Sequence, residues 1–381
     1  MWLEKIGLLT FKNYEEIALN FSQHINCFVG ENGSGKTNLL DAIYYLSFTK
    51  SAFSSTEQQN IKHGASLFLV KGTFHKQDET HNIQFSLQNG QKKDARNSRV
   101  PYDKLSEHIG LFPAVLISPD DTDLIRERSE NRRRFFDSII SQINHRYLND
   151  LIRYNHVLRQ RNSLLKQFTD RQTYDSDLLD SYSEQLLALG RQIYEARQAF
   201  IVQFIPLFES HYRYLSDDKE AVSIHYESHF AQPGFEEAFY RAYQRDLALQ
   251  RTTRGAHRDD FVFEIAQYPV KKYGSQGQQK SFVIALKLAQ FEIIYQETGV
   301  KPLLLLDDIF DKLDDHRITQ LTSLVIAQTF GQLFMTDARP ERTHQLLKGL
   351  DVEKKFFTIR QGRVMEEEVV GEKETGGQKT E

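Results

Sequence analysis

The chain has 381 residues, 40% of them hydrophobic and 26% charged, and a formal net charge of −4 from 48 basic and 52 acidic side chains. These values fit a folded globular protein and exclude a fibre, a disordered chain and a polycation, so any nucleic-acid contact must come from a local basic patch. The single cysteine, Cys27, excludes an intramolecular disulfide and a cysteine-rich metal site, and its apolar surroundings in "INCFVG" predict a buried structural thiol.

The N-terminal "MWLEKIGLLTFKN" has no basic segment, apolar core or small-residue cleavage site. The longest aliphatic run, Leu303 to Leu306, falls far short of the ~20 apolar residues of a membrane helix. A cytoplasmic protein without membrane contact is expected. Over the first hundred residues, "EKIGLLTF", "INCFVG", "SLFLVKGTF" and "HNIQFSLQN" predict short strands separated by turns.

One helix interrupts them, and it starts at "GENGSGKT": Gly30, Glu31, Asn32, Gly33, Ser34, Gly35, Lys36 and Thr37 fit the phosphate-loop pattern between an apolar strand and an amphipathic helix. Glycines let backbone N–H groups close around phosphate oxygens, Lys36 neutralises the β and γ charges of ATP, and Thr37 offers a hydroxyl to Mg²⁺. "PAVLIS" from Pro113 predicts a buried strand stopped by Pro119.

From about 120 to 250 the period becomes helical, and Leu179, Tyr182, Leu186, Leu189 and Ile193 suit a helical hairpin or short coiled coil. Between Arg126 and Arg171 lie eleven Arg or Lys against five Asp or Glu, which makes this stretch the candidate DNA contact. The cations singled out are Arg132, Arg133, Arg134, Arg153, Arg159 and Arg161; the competing reading is a solvated helix face, or pairing of the triplet with Asp120, Asp121 or Asp123. "VSIHYES" and "FVFEIA" predict strands around "GAHRDD", where His257 lacks a second histidine at ligand spacing and does not read as zinc-binding. His257 and Arg258 are expected near the nucleotide or a lobe interface.

"PLLLLDD", "GQLFMTD" and "KFFTIRQGRV" predict three strands separated by helix-length stretches, an α/β pattern. The first is apolar enough for a fully buried parallel strand, and its C-terminal end presents Asp307, placed to hold Mg²⁺, and Asp308, placed to orient or deprotonate a water. Residues from 366 onward are polar and predict a disordered tail.

The turn "GSQGQ" before the long apolar helix "QKSFVIALKLAQ", together with both phosphate motifs, resembles the signature of ABC-type ATPases. That resemblance implies that Ser275, Gly277 and Gln278 grip the γ-phosphate of a nucleotide held by a second copy of the chain, with ATP sandwiched in a two-fold dimer. "FKNYEEIALNF", "SPDDTDLIRERSENRRRFFD", "QRNSLLK", "TTRGAHRDD", "SQGQQKSF" and "LLLLDDIFDKLDDHR" further resemble the RecF family of bacterial recombination mediators. The fold implied is α/β: a P-loop NTPase head of the Rad50/SMC-like ABC type, with a largely helical lobe in place of a long coiled coil. Its ATPase lobe would span 1–118 and 285–365, the helical lobe 119–284 and the tail 366–381. Family membership implies a weak, Mg-dependent ATPase stimulated by DNA, binding single- and double-stranded DNA near gaps and acting with RecR and RecO to load RecA in recombinational gap repair and replication maintenance. Asp314 in "DKLDD" matches the aspartate that reaches across the dimer.

The chain departs from the wider pattern in three places. Asp308 stands where many ABC ATPases have Glu, Thr336 and Asp337 stand where a switch histidine is frequent, and Ser54 stands where RecF-like sequences commonly have Arg. Either Gln142 or Gln160, or neither, serves as a Q-loop. The rival functions are ATPase subunits of other machines. A transporter subunit would bring Glu at position 308 and a membrane-coupling surface, and a nuclease-associated head would need an acidic nuclease domain that this length does not accommodate.

Overall fold

The computed structural model describes residues 1–171, 175–217, 220–309, 320, 323 and 330–371. The chain divides into two compact units, Met1–Asp120 with Ile294–Glu381, and Asp121–Ile293. The second boundary falls inside the helix Gln276–Thr298, nine residues later than the 284/285 division expected from the sequence.

In chain order the strands are β1 (Trp2–Leu9), β2 (Glu16–Asn20), β3 (Ile25–Val29), β4 (Leu67–Lys76), β5 (Glu79–Gln88), β6 (Asp94–Asn97), β7 (Val100–Pro101) and β8 (Ala114–Ile117), then β9 (Val222–Glu227), β10 (Asp260–Ile265), β11 (Tyr268–Pro269), β12 (Leu303–Asp307), β13 (Leu333–Asp337), β14 (Lys354–Arg360) and β15 (Arg363–Val370). The first unit holds two six-stranded sheets. One is antiparallel, in the order β2-β1-β4-β5-β6-β7, and the other runs β15-β14-β3-β13-β12-β8. In the second sheet every pair from β14 to β8 is parallel, and β15 adds an antiparallel edge. Their sequences explain the difference: β4 and much of β5 alternate buried residues with partly or fully exposed ones, whereas β3, β8, β12 and β13 are buried at every position.

The helix Lys36–Phe48 shares one core with both sheets, in which Leu39, Ile43 and Leu46 join Leu3, Phe74 and Phe85 of the antiparallel sheet and Phe28, Leu305 and Phe334 of the parallel one. It was expected to be amphipathic. Ten of its thirteen residues are buried, because a helix covered on both sides has no face to spare for polar residues. The expected tail of 366–381 differs at its start, since residues 366–370 continue β15 and pair with β14 from Val370↔Lys354 inward, while 372–381 lie outside the described residues. This strand is held by backbone hydrogen bonds at a sheet edge and leaves its charged side chains in water, so its composition hides it.

The second unit is built on the helices Ser129–Ile143, His145–Arg171 and Ser176–Ser216, with the three-stranded sheet β11-β10-β9. The latter two helices form the expected antiparallel hairpin: Leu164, Leu165 and Phe168 cluster with Leu179, and Arg161 bonds to Ser183. Among the described residues no helix is long and apolar enough to cross a membrane.

Candidate functional site

β3 ends at Val29, β12 ends at Asp307, and β13 lies between them with Asp337 opposite Val29 and Thr336 opposite both Phe28 and Asp307. All three strands are parallel, so their C-terminal ends open on one edge of the sheet, where ligands sit in folds of this kind. The phosphate loop leaves β3 at that edge.

Two glycines of the loop have no substitute. Gly30 has φ 148°, and a Cβ there would lie 2.3 Å from the Ile359 carbonyl oxygen; Gly35 has φ 116°, and a Cβ there would lie 2.3 Å from Asn13 Nδ2. Glu31, Asn32 and Gly33 form the exposed rim. Lys36 Nζ folds back over the loop and donates to the carbonyls of Gly30 (2.7 Å) and Glu31 (2.9 Å). Gly35 caps the helix without a side-chain acceptor, which leaves the first-turn N–H groups for an anion.

The segment Lys12–Tyr14 braces this loop, a role the sequence reading missed. Asn13 Nδ2 donates to the Ser34 carbonyl (3.3 Å), the Tyr14 hydroxyl donates to the Gly35 carbonyl (3.0 Å), and Asn38 Nδ2 donates to Asn13 Oδ1 (2.8 Å). The Gly362 amide adds a bond to the Ser34 carbonyl at 2.8 Å. A polar pair beside apolar Phe11 was the available signal. Ser54, noted for lacking an arginine, lies in a turn whose amides bond to Ser51 Oγ, and Ser51 in turn donates to Asp41. The cation at that turn is Lys12, 2.5 Å from Asp41 and 5.7 Å from the Phe53 ring.

Thr37 Oγ1 donates to Asp307 Oδ1 at 2.9 Å, bridging positions 270 residues apart. Thr336 Oγ1 donates to the same oxygen at 2.9 Å and accepts the Asp308 N–H at 2.9 Å. Asp307 is 5% exposed. Burial, with a smaller push from Asp308, raises its pKa above the ordinary aspartate value, against the opposing pull of the Thr336 and Thr37 hydroxyls and of Lys36. Asp308 has φ 46°, a left-handed conformation that Asp tolerates better than most residues. Asp337 is committed elsewhere: it accepts from the Arg339 amide, from Arg342 Nε and Nη2 and from the Thr343 hydroxyl, and so anchors the helix Pro340–Leu347.

These groups fit a nucleotide triphosphate with its cation. The Ser34 hydroxyl is buried with no hydrogen-bond partner among the described residues, inside the phosphate loop. A carboxylate beside a threonine hydroxyl is the oxygen donor set Mg²⁺ takes. Asp314 lies outside the described residues.

In the second unit, Ser275 precedes the helix Gln276–Thr298 and forms a reciprocal cap: Gln278 Oε1 accepts the Ser275 N–H (2.6 Å) and Ser275 Oγ accepts the Gln278 N–H (3.2 Å). Gln278 Nε2 also reaches Glu220, while Ser275 is exposed and Gly277 half-buried. The cap holds the turn in shape and leaves the serine at the surface.

The arginines separate by burial and by pairing. Arg161 is 1% exposed and bonds to Asp246, Thr252 and Ser183, so its assignment to DNA is corrected: its charge is spent inside the unit. Arg132 makes a two-pronged pair with Asp260 (2.8 and 2.9 Å), and half-buried Arg133 donates to Ser129 Oγ and the Asp259 carbonyl. Exposed Arg134 pairs with Glu130, one turn away. The acids named from sequence are not their partners; Asp121 pairs with Lys287. Arg153 and Arg159 are exposed on the helix His145–Arg171, as are His156 and Lys166, and the two arginines have no ion-pair partner among the described residues. Gln142 is buried and bonds back to the Ser138 carbonyl, and Gln160 is exposed.

His257 receives a hydrogen bond from the Tyr154 hydroxyl on Nδ1 (2.8 Å) and donates from Nε2 to the Thr252 carbonyl (3.0 Å). Burial lowers its pKa to about 4. It is a neutral, structural histidine with both nitrogens used.

The RecF/RecN/SMC N terminal domain family matches residues 2–359. The DNA replication and repair protein RecF of Cytophaga hutchinsonii is 50% identical over 364 residues, covering 96% of each chain, and that of Flavobacterium johnsoniae is 48% identical over 359 residues, covering 94% of this chain and all of its own. Among solved structures, the recombination mediator protein RecF with ATP, of the RecFOR pathway, aligns with a TM-score of 0.87 at 30% identity over 96% of this chain and 97% of its own. An SMC head domain from Pyrococcus furiosus aligns with a TM-score of 0.57 at 17% identity, a likeness of fold alone. A phosphate loop and a buried carboxylate meeting on a head of this fold, in a sequence half identical to such relatives over nearly its whole length, make the chain a member of the RecF family of DNA replication and repair proteins.

Proposed function

We propose that this chain is a DNA-binding ATPase of recombinational gap repair and replication maintenance, gated by ATP through dimerisation. The observation that carries the reading is the 2.9 Å bond between Thr37 and Asp307 at the mouth of the phosphate loop. Lys36, the Ser34 hydroxyl and the loop amides hold the phosphates, while Thr37 and Asp307 hold Mg²⁺, which when bound draws charge from the β and γ oxygens. Asp308 orients the attacking water. Its side chain is one methylene shorter than the glutamate that many ABC ATPases carry at this position, so hydrolysis is slow and ATP acts as a timer.

Ser275, Gly277 and Gln278 of one copy close on the nucleotide held by a second copy, an arrangement supported by the exposed, pre-capped serine. The exposed cations Arg153, Arg159 and Lys166, joined by Arg134, meet DNA phosphates; such contact is independent of sequence and weakens with salt. RecR and RecO are the partners that the pathway of the ATP-bound relative supports, with RecA loading as the outcome and the cytosol as the place.

Sedimentation velocity with ATP, ADP and a non-hydrolysable analogue, each with and without gapped duplex, tests the reading. A dimer is expected with ATP or the analogue and a monomer with ADP, and Lys36→Ala or Ser275→Arg should abolish the dimer. A chain that stays monomeric with the analogue on gapped DNA overturns it.

A further inference from the structure

The hairpin between β10 and β11 turns through Ala266 (φ 47°) and Gln267 (φ 68°), two left-handed residues with no glycine between them, the geometry of a tight hairpin turn. It carries Tyr268, and the short helix that follows ends at Tyr273. Their rings lie 5.1 Å apart at 50° and are 57% and 56% exposed. Val270 between them is fully buried and the Gly274 amide bonds to its carbonyl, so the pair stands on a fixed base.

Two exposed lysines, Lys271 and Lys272, flank the rings, and Lys272 Nζ sits 5.3 Å from the Tyr273 centroid. Neither has an ion-pair partner among the described residues. Glu264, opposite Pro269 in the ladder, is held by Ser223 and His225. A single exposed tyrosine needs no explanation. Two in contact, held rigidly and edged by unneutralised cations, combine the two features by which proteins hold unpaired nucleotides: aromatic faces for bases and positive charge for the phosphates between them.

We infer that Tyr268, Tyr273, Lys271 and Lys272 form a stacking ledge for single-stranded DNA, separate from the arginine-bearing face of the helix His145–Arg171. The inference rests on the DNA-binding reading above and deepens it, because a duplex keeps its bases stacked inside and offers the rings nothing. At a gap the arginine face then meets phosphates of either form, while the ledge selects the unpaired strand.

Anisotropy of labelled oligothymidylate and of a labelled blunt duplex, with the full chain and ATP, tests it. Tyr268→Ala with Tyr273→Ala should weaken oligothymidylate binding about tenfold or more while leaving the duplex unchanged, and Tyr→Phe at both positions should restore it. Lys271→Gln with Lys272→Gln should flatten the salt dependence for the oligonucleotide, by roughly 0.7 in log–log slope per charge, which the alanine pair should not do. Oligothymidylate affinity unchanged in the alanine pair, an equal loss for the duplex, or a loss of ATP affinity instead would each overturn the ledge while leaving DNA binding itself standing. A wild-type chain that binds neither nucleic acid fails the broader reading, and the ledge with it.

Discussion

Replacing Arg161 separates a structural cation from a DNA-binding one. Its guanidinium is 1% exposed, bonds at 2.8 Å to both Asp246 Oδ2 and Thr252 Oγ1 and at 3.0 Å to Ser183 Oγ, and lies 5.1 Å from the Phe239 ring. Arg161→Met keeps most of the packing but strands the Asp246 carboxylate, itself 1% exposed, with Thr253 as its one remaining donor residue among the described residues. Breaking a buried pair from one side costs about 3–5 kcal/mol. In a unit of this size each kcal/mol lowers the melting temperature by roughly 2–4 °C, so a drop of about 10 °C is expected. Asp246→Leu added to Arg161→Met should recover part of the loss, because no uncompensated charge then remains. Thermal melting by circular dichroism reads the stability, and anisotropy on labelled duplex at low temperature should find DNA affinity intact. A variant that melts like the wild type but loses DNA affinity would refute the reasoning and return Arg161 to the DNA surface.

Thr336→Val keeps shape but removes the hydroxyl that serves both Asp307 and the Asp308 amide. The unpaired groups are worth about 1–3 kcal/mol, so ATP hydrolysis should fall about tenfold with nucleotide binding largely kept, and unchanged turnover would show the bridge to be idle. His108 receives the Tyr102 hydroxyl and donates to the Leu46 carbonyl, and burial lowers its pKa to about 4. A base whose pKa is depressed by folding stabilises above its unfolded value and loses that contribution as pH falls, so urea denaturation should show stability declining between pH ~6.5 and ~4 by up to about 3 kcal/mol, a slope that His108→Gln should reduce. Arg153→Glu with Arg159→Glu should weaken duplex binding and flatten its salt dependence by roughly 0.9 in log–log slope per cation removed, with ATP binding unchanged; unaltered DNA affinity would move the contact off this face.

The parallel sheet was legible because burial on both faces leaves continuous apolar runs, as in "LLLLD" and "INCFV", and the phosphate loop because its glycines answer a steric demand at fixed spacing. β15 was not legible, since an edge strand is held by backbone bonds and its "EEEVV" says nothing of them. Charge counting found the basic stretch but could not sort it: Arg159 and Arg161 are two residues apart on one helix, which turns them onto different faces, one to water and one onto Asp246. Thr336 was noted only as the occupant of a switch position. Its role depends on β13 lying between β3 and β12, a strand order that no local pattern encodes.

Asp308 has two separable properties as an aspartate: its backbone is left-handed, which favours Asp over Glu, and its carboxylate is one methylene shorter than a glutamate's. Asp308→Glu sets them against each other. The Thr336 hydroxyl has a single proton, which goes to Asp307, so it accepts the Asp308 amide and pins the backbone whatever the side chain. Strain from a glutamate at φ 46°, about 1 kcal/mol, is then present in the ground and transition states alike and cancels from the turnover number, appearing instead as a melting temperature lower by a few degrees. Reach does not cancel, because the water is activated only as it attacks. Asp308→Glu is therefore expected to hydrolyse ATP faster and melt lower, and its dimer to dissociate sooner after ATP addition. If the variant folds and dimerises but turns over more slowly than the wild type, the backbone and not the missing methylene sets the rate, and the short side chain is no timer.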